Sequence, residues 1–171
     1  MSTIANGGTR IAPRLVKEIH ETSPKGGIGN LEDVIPTKIM NTLQVEKKIL
    51  DHIKEGLYRV THGENGTSAS TFKNYSPEVA GKTGTVEAFY SGPNPAYKNE
   101  AVENSTFISY APYDNPEIVV SVVAPYFKDG LPSDYAAKIA KKVYEAYFGK
   151  RSNSETNAAT VNTQVQQNNR Q

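Results

Sequence analysis

The chain has 171 residues and a mass of 18.7 kDa, with 37% hydrophobic residues, enough to bury the core of one domain and too few residues to count on two. Nineteen Lys and Arg against 18 Asp and Glu leave a net charge of +1, which removes any general electrostatic reason to bind nucleic acid or an anionic membrane. The absence of Cys excludes disulfides, thiolate nucleophiles and cysteine metal sites, and leaves the compartment open.

The N-terminal stretch MSTIANGGTRIAPRL has no basic segment followed by a long apolar run, so it does not read as a secretory signal. Ser2–Asn6 reads as the last turn of a helix, stopped by Gly7-Gly8. So short a helix has no stability of its own, which predicts a chain that begins inside a fold. Ile11–Ile19 reads as an extended segment and Ser23–Asn30 as a loop. A helix is expected from about Thr42 to Val60, because Val45, Ile49, Ile53 and Leu57 recur every four residues, with Leu50 and Val60 widening the stripe.

A β-rich block follows. Val79–Tyr90 reads as a strand with internal glycines, which mark a bulge or the close approach of another backbone or a ligand. Ser91–Asn104 reads as a polar loop. Thr106–Ala111 and Glu117–Ala124 read as strands joined by a Pro-Tyr-Asp-Asn-Pro turn, the second apolar on both faces and therefore central in its sheet. A last helix is expected over about Asp134–Phe148, with Ser133 as N-cap, Gly149 as the residue past its end, and Tyr135, Ile139, Val143 and Tyr147 as the apolar row. Lys138, Lys141 and Lys142 read as a solvated face. Residues 151–171 hold nine Asn or Gln and no aromatic residue, the composition of a disordered tail. The expected architecture is α/β, an antiparallel sheet flanked by helices, with residues 1–150 as the folded portion. The longest apolar run, Ile118–Phe127, is broken by Ser121 and Pro125 and is short of the roughly 20 residues that span a bilayer, so the chain as written is expected to be soluble.

The most informative stretch for chemistry is Ala80-Gly81-Lys82-Thr83-Gly84-Thr85. One reading is a phosphate loop ending in Gly81-Lys82-Thr83, but its first glycine would fall at Ser76 and a helix should follow the Lys-Thr pair. The other is the Lys-Thr-Gly strand of serine penicillin-recognising enzymes. A strand lysine beside a cleft supplies positive charge. Thr83 and Thr85, two residues apart, project from one side and can hold a carboxylate. Gly84 between them lets a substrate backbone lie against the strand. A backbone N–H there can donate to a developing oxyanion. The only literal S-x-x-K, Ser70-Thr71-Phe72-Lys73, lies nine residues before Lys82, too close to leave a core helix and enter the facing strand, and reads as a polar loop. No S-x-N triplet is present. His20, His52 and His62 lack metal-ligand spacing, no G-x-S-x-G elbow exists, and the Asn65-Gly66-Thr67 and Asn104-Ser105-Thr106 triplets match only a glycosylation pattern.

Three segments carry a family resemblance. TIANGGTRIAPRLVKEI at Thr3–Ile19 resembles the A-N-G-G segment of class B penicillin-binding proteins, AGKTGTVEAFY at Ala80–Tyr90 their active-site strand, and YAPYDNPEIVVSVVAPY at Tyr110–Tyr126 the hairpin after it. Order and spacing agree over Thr3–Phe148, and the chain resembles the 2b-type elongation transpeptidases of Gram-positive cocci. The resemblance implies a partial transpeptidase fold, with Lys82 in electrostatics and proton transfer, the Thr83 and Thr85 side chains and Gly84 in substrate or β-lactam binding, and the Thr85 N–H as half of the oxyanion hole. It makes Ser91–Asn104 a loop at the cleft rim, which Phe89 and Tyr90 could line, although aromatic strand residues more often serve packing. It implies peptidoglycan stem peptides and β-lactams as partners, no metal or other cofactor, and an extracytoplasmic protein anchored upstream of this segment. Lacking the nucleophile motif, the chain alone is expected to be inactive. Two other readings stay open: a non-catalytic binding or structural remnant, and the nucleotide loop.

Overall fold

A computed structural model describes residues 1–127, 132 and 134–149. Ser133 and the Asn/Gln-rich residues 151–171, expected as an N-cap and a disordered tail, lie outside the described residues. The chain forms two compact units, one of Ser2–Ile53 and one from Lys54 onward.

In the first unit, α1 (Ser2–Ala5) is the expected terminal turn. Gly8 donates to the Thr3 carbonyl at 2.7 Å and Gly7 to Ile4 at 3.3 Å, with φ of 82° at Gly7 and 106° at Gly8. That pair of bonds is a Schellman stop, and the positive φ is why glycine stands there. β1 (Thr9–Ile11) pairs antiparallel with β4 (Ile39–Thr42), and β2 (Glu18–Thr22) with β3 (Ile28–Val34). The single extended segment expected over 11–19 is thus the edges of two strands, and the loop expected over 23–30 closes at Gly27. Only Ala5, Gly8 and Leu50 are buried in this unit.

Helix α2 (Lys47–His62) begins five residues later than periodicity suggests, because residues 39–42 are taken by the ladder with β1. Of the expected stripe, Leu50 is buried and Leu57 and Val60 are half-buried, while Val45, Ile49 and Ile53 are more than 40% exposed.

The second unit contains the sheet. β5 (Ala80–Phe89), β6 (Ala101–Ala111) and β7 (Ile118–Phe127) lie in that order, all antiparallel. β6 starts five residues earlier than its composition indicates. Glu103 and Asn104 are poor strand formers, but the ladder from Gly84–Thr106 out to Phe89–Ala101 holds them in register. β6 is the middle strand and β7 an outer one among the described residues, which corrects the expectation for 117–124. Val120 and Ala124 are buried, whereas Val123 is 65% exposed.

Helix α4, over 135–149, covers one sheet face, after the single turn α3 (Ala69–Phe72). Its buried row is Ala136, Ala137, Ala140 and Tyr144; the expected row is mostly exposed, at 36–41% for Tyr135, Ile139 and Val143. Small residues let the helix approach Phe107, Ala111 and Val120, and the Tyr144 hydroxyl meets Ser109 Oγ at 2.8 Å. Gly149 remains helical rather than ending the helix. Among the described residues the second sheet face is covered only near its end, where the last turns of α2 attach: Thr61 donates to the Val79 carbonyl and the Tyr58 ring lies tilted against Tyr113, centroids 4.6 Å apart. Val86, Ile108, Val119 and Val123 stay exposed there.

α3 and α4 are tied by charge. Thr71 Oγ1 donates to Asp134 Oδ2 at 2.8 Å and Lys138 Nζ sits 3.1 Å from Oδ1. Lys141, expected in solvent, donates to the Thr71 carbonyl at 2.9 Å. Burial pushes the Asp134 pKa up, but the hydrogen bonds from Thr71 and Lys138 outweigh it and hold the carboxyl below the usual range. A lowered folded-state pKa contributes stability that is full above the unfolded value, about 3.9, and lost as pH falls through the folded value. Asp134→Asn is therefore expected to flatten the acid limb of the stability curve below about pH 4, measured by urea midpoints from pH 2 to 7; an unchanged limb would contradict the pairing.

Candidate active site

The residues singled out from sequence all stand on β5. By register Lys82 faces Ile108, Thr83 faces Phe107, Gly84 faces Thr106 and Thr85 faces Ser105. Period two puts Thr83 and Thr85 on one face and Lys82 on the other. They meet at an edge, because β5 has no partner beyond it among the described residues. Thr106 Oγ1 donates to the Gly84 carbonyl at 3.1 Å, so Gly84 turns its polar backbone towards β6. Alternation then points the N–H and C=O of Thr83 and Thr85 outward. Lys82 Nζ, donating to the Thr83 carbonyl at 2.7 Å, occupies that outer edge. An outward Thr85 N–H thus lies on the same open edge as an exposed ammonium, which a ligand would draw away from the Thr83 carbonyl.

Both glycines of the stretch have internal reasons. A Cβ on Gly81 would sit 2.5 Å from the Phe107 ring, and one on Gly84 2.4 Å from Thr106 Oγ1. The close neighbour at Gly84 is thus a side chain of β6, where the sequence suggested a ligand.

Lys82 also borders an open cavity of about 540 Å³, lined further by Gly56, Val60, Gly63 and Thr67 from the end of α2 and the turn after it. Thr67 Oγ1 lies 2.9 Å from Thr83 Oγ1. Sequence reasoning missed Thr67, noting it only as the end of a glycosylation triplet. A glycine-threonine pair at a helix end, aimed at a facing strand, was the available signal.

Other candidates separate from this place. Phe89 and Tyr90 are seven and eight residues along the strand from Lys82, about 23 Å or more at a strand's rise. Tyr90 packs edge-on with Tyr97 and Tyr126, and the segment read as a loop to residue 104 closes at Glu100 with a short 3₁₀ turn, Pro95–Tyr97. Ser70, expected in a polar loop, lies on the one-turn α3, exposed, with Lys73 beyond its end. The turn forms because Phe72 enters the core against Phe107, ring centroids 5.9 Å apart, and Thr71 binds Asp134. Ser70 is therefore not at the start of a buried helix. The nucleotide reading fails on the same geometry, since a strand rather than a helix follows Lys82-Thr83. Among the described residues no group of three His, Asp or Glu could hold a metal ion.

The family description "Penicillin binding protein transpeptidase domain" matches residues 1–145. The chain belongs to this family. Within it, the chain is 36% identical over 150 residues to penicillin-binding protein 2A of Bacillus subtilis, covering 86% of this chain and 21% of that protein. It is 33% identical over 153 residues to the peptidoglycan D,D-transpeptidase MrdA of Haemophilus influenzae, covering 86% and 22%. Penicillin-binding protein 2B of Streptococcus pneumoniae strain R6 superposes with a TM-score of 0.67 at 31% identity, over 85% of this chain and 23% of that one. The chain thus spans about a fifth of the length of these relatives. In this chain the Lys82-Thr83-Gly84 run stands on β5, an outer strand of the antiparallel sheet among the described residues.

Proposed function

We propose that the protein carrying this segment is a peptidoglycan D,D-transpeptidase, acylated by β-lactams, acting at the extracytoplasmic face of the cell membrane. The observation that carries the reading is the Lys82–Thr85 edge: an exposed ammonium, two hydroxyls and an outward N–H on the strand that bears the family's motif. In the proposed reaction a serine Oγ attacks the penultimate carbonyl of a D-Ala-D-Ala stem, and the oxyanion accepts the Thr85 N–H. The collapsing intermediate expels D-alanine, whose nitrogen takes up the proton that the serine hydroxyl gave up on attack. The amine of a neighbouring stem then attacks the ester, forms the cross-link and releases the serine. Lys82, Thr83 and Thr85 hold the terminal carboxylate and tune the proton transfers. No described residue serves as that serine, and Ser70 lacks the setting for it. The 171 residues alone are therefore read as a carboxylate-binding wall.

Fluorescent penicillin tests this. The product of the native gene is expected to be labelled covalently, with labelling lost in Lys82→Met, while the isolated 171 residues stay unlabelled. Labelling indifferent to Lys82→Met, or stable labelling at Ser70, would overturn the reading.

A further inference from the structure

We propose that Thr67 is a positioning residue of this site, orienting the Thr83 hydroxyl towards the substrate carboxylate; the inference rests on the carboxylate-binding role proposed for β5. The two Oγ1 atoms lie 2.9 Å apart at the solvent-exposed edge, 16 residues apart in sequence. A hydroxyl has one proton to donate and two lone pairs. In such a pair one hydroxyl donates to the other, and the second keeps its proton. When Thr67 donates to Thr83, the Thr83 proton points away from Thr67 and is free for a carboxylate oxygen beside the Lys82 ammonium. Donation along a chain of hydroxyls also polarises the terminal O–H.

The backbone around Thr67 is built to hold this geometry. A Cβ at Gly66 would lie 2.4 Å from the Arg59 carbonyl oxygen and 2.6 Å from that of Val60, so only glycine lets the turn sit this close to the end of α2. Ser68 N donates to the Val60 carbonyl at 2.9 Å, pinning the other side. Thr67 thereby reaches β5 from a fixed turn, and it shares with Lys82 the wall of the 540 Å³ cavity. A purely structural staple is the competing account. An exposed hydroxyl pair exchanges readily for water and stabilises little, so the two accounts differ in what its loss changes.

The test is an NMR titration of the 171-residue chain with N-acetyl-D-alanyl-D-alanine, alongside its methyl ester, for wild type, Thr67→Val, Thr67→Ser and Lys82→Met, with a thermal melt of each. Wild type is expected to bind the acid in preference to the ester. Thr67→Val keeps the shape without the hydroxyl and is expected to bind about threefold to tenfold more weakly at an unchanged Tm. Thr67→Ser is expected to restore binding. Thr67→Val binding as wild type, or a lowered Tm that Thr67→Ser restores without any effect on affinity, would overturn the role of Thr67 while Lys82-dependent binding left the site intact. Binding that ignores Lys82→Met, or no binding by wild type, would overturn both.

Discussion

Phe107→Ala is expected to destabilise the unit from Lys54 onward by about 3–5 kcal/mol, the range for deleting a buried aromatic ring. The ring is 1% exposed, stands 5.9 Å from Phe72, and packs under α4 with Ala136, Ala137 and Tyr144. It also fills the space where a side chain at Gly81 would be. The cavity left by truncation opens beneath the strand that carries Lys82, so site and core fail together. Val123→Ala, on the exposed face at 65%, is the control and is expected to stay within about 0.5 kcal/mol. Urea unfolding monitored by circular dichroism measures both; a Phe107→Ala loss below about 1 kcal/mol would mean that α4 does not close the core.

Lys82→Met is expected to weaken binding of a D-Ala-D-Ala carboxylate by about 10- to 100-fold, the worth of one charge-assisted hydrogen bond. Stability should barely move, because the ammonium is exposed and donates to the neighbouring Thr83 carbonyl at an open edge. The ligand must displace that contact, so the lysine swings from the strand edge to the carboxylate. Binding to wild type should weaken as salt rises, since both partners are solvent-accessible, and the variant should lose most of that salt dependence. Equal affinity in variant and wild type, by titration at low and high salt, would remove Lys82 from the site.

How much of this was legible in the sequence depends on range. β5 and the α1 stop were readable within a residue because glycines and a short motif fix them locally. The β2–β3 hairpin and the early start of β6 were not, because polar residues such as Glu18, Glu103 and Asn104 enter strands only through partners elsewhere in the chain. The row that α4 buries was misjudged because periodicity favours large residues. The sheet instead selects the alanines, which permit close approach, and leaves Ile139 and Val143 outside. At the candidate site, the Lys-Thr-Gly motif and the family resemblance it carries singled out Lys82 to Thr85, and the structure places them together on β5. The edge position of β5 and the meeting of Thr67 with Thr83 depend on how α2, its following turn and the sheet assemble, and no local pattern encodes that.

The most direct test of the central claim is a crystal structure of this chain with N-acetyl-D-alanyl-D-alanine. The account predicts the terminal carboxylate within hydrogen-bond distance of Lys82 Nζ and of the Thr83 or Thr85 hydroxyl, with the ligand backbone antiparallel along the open edge of β5. A carboxylate bound elsewhere, with Lys82 still folded onto the Thr83 carbonyl, would contradict it.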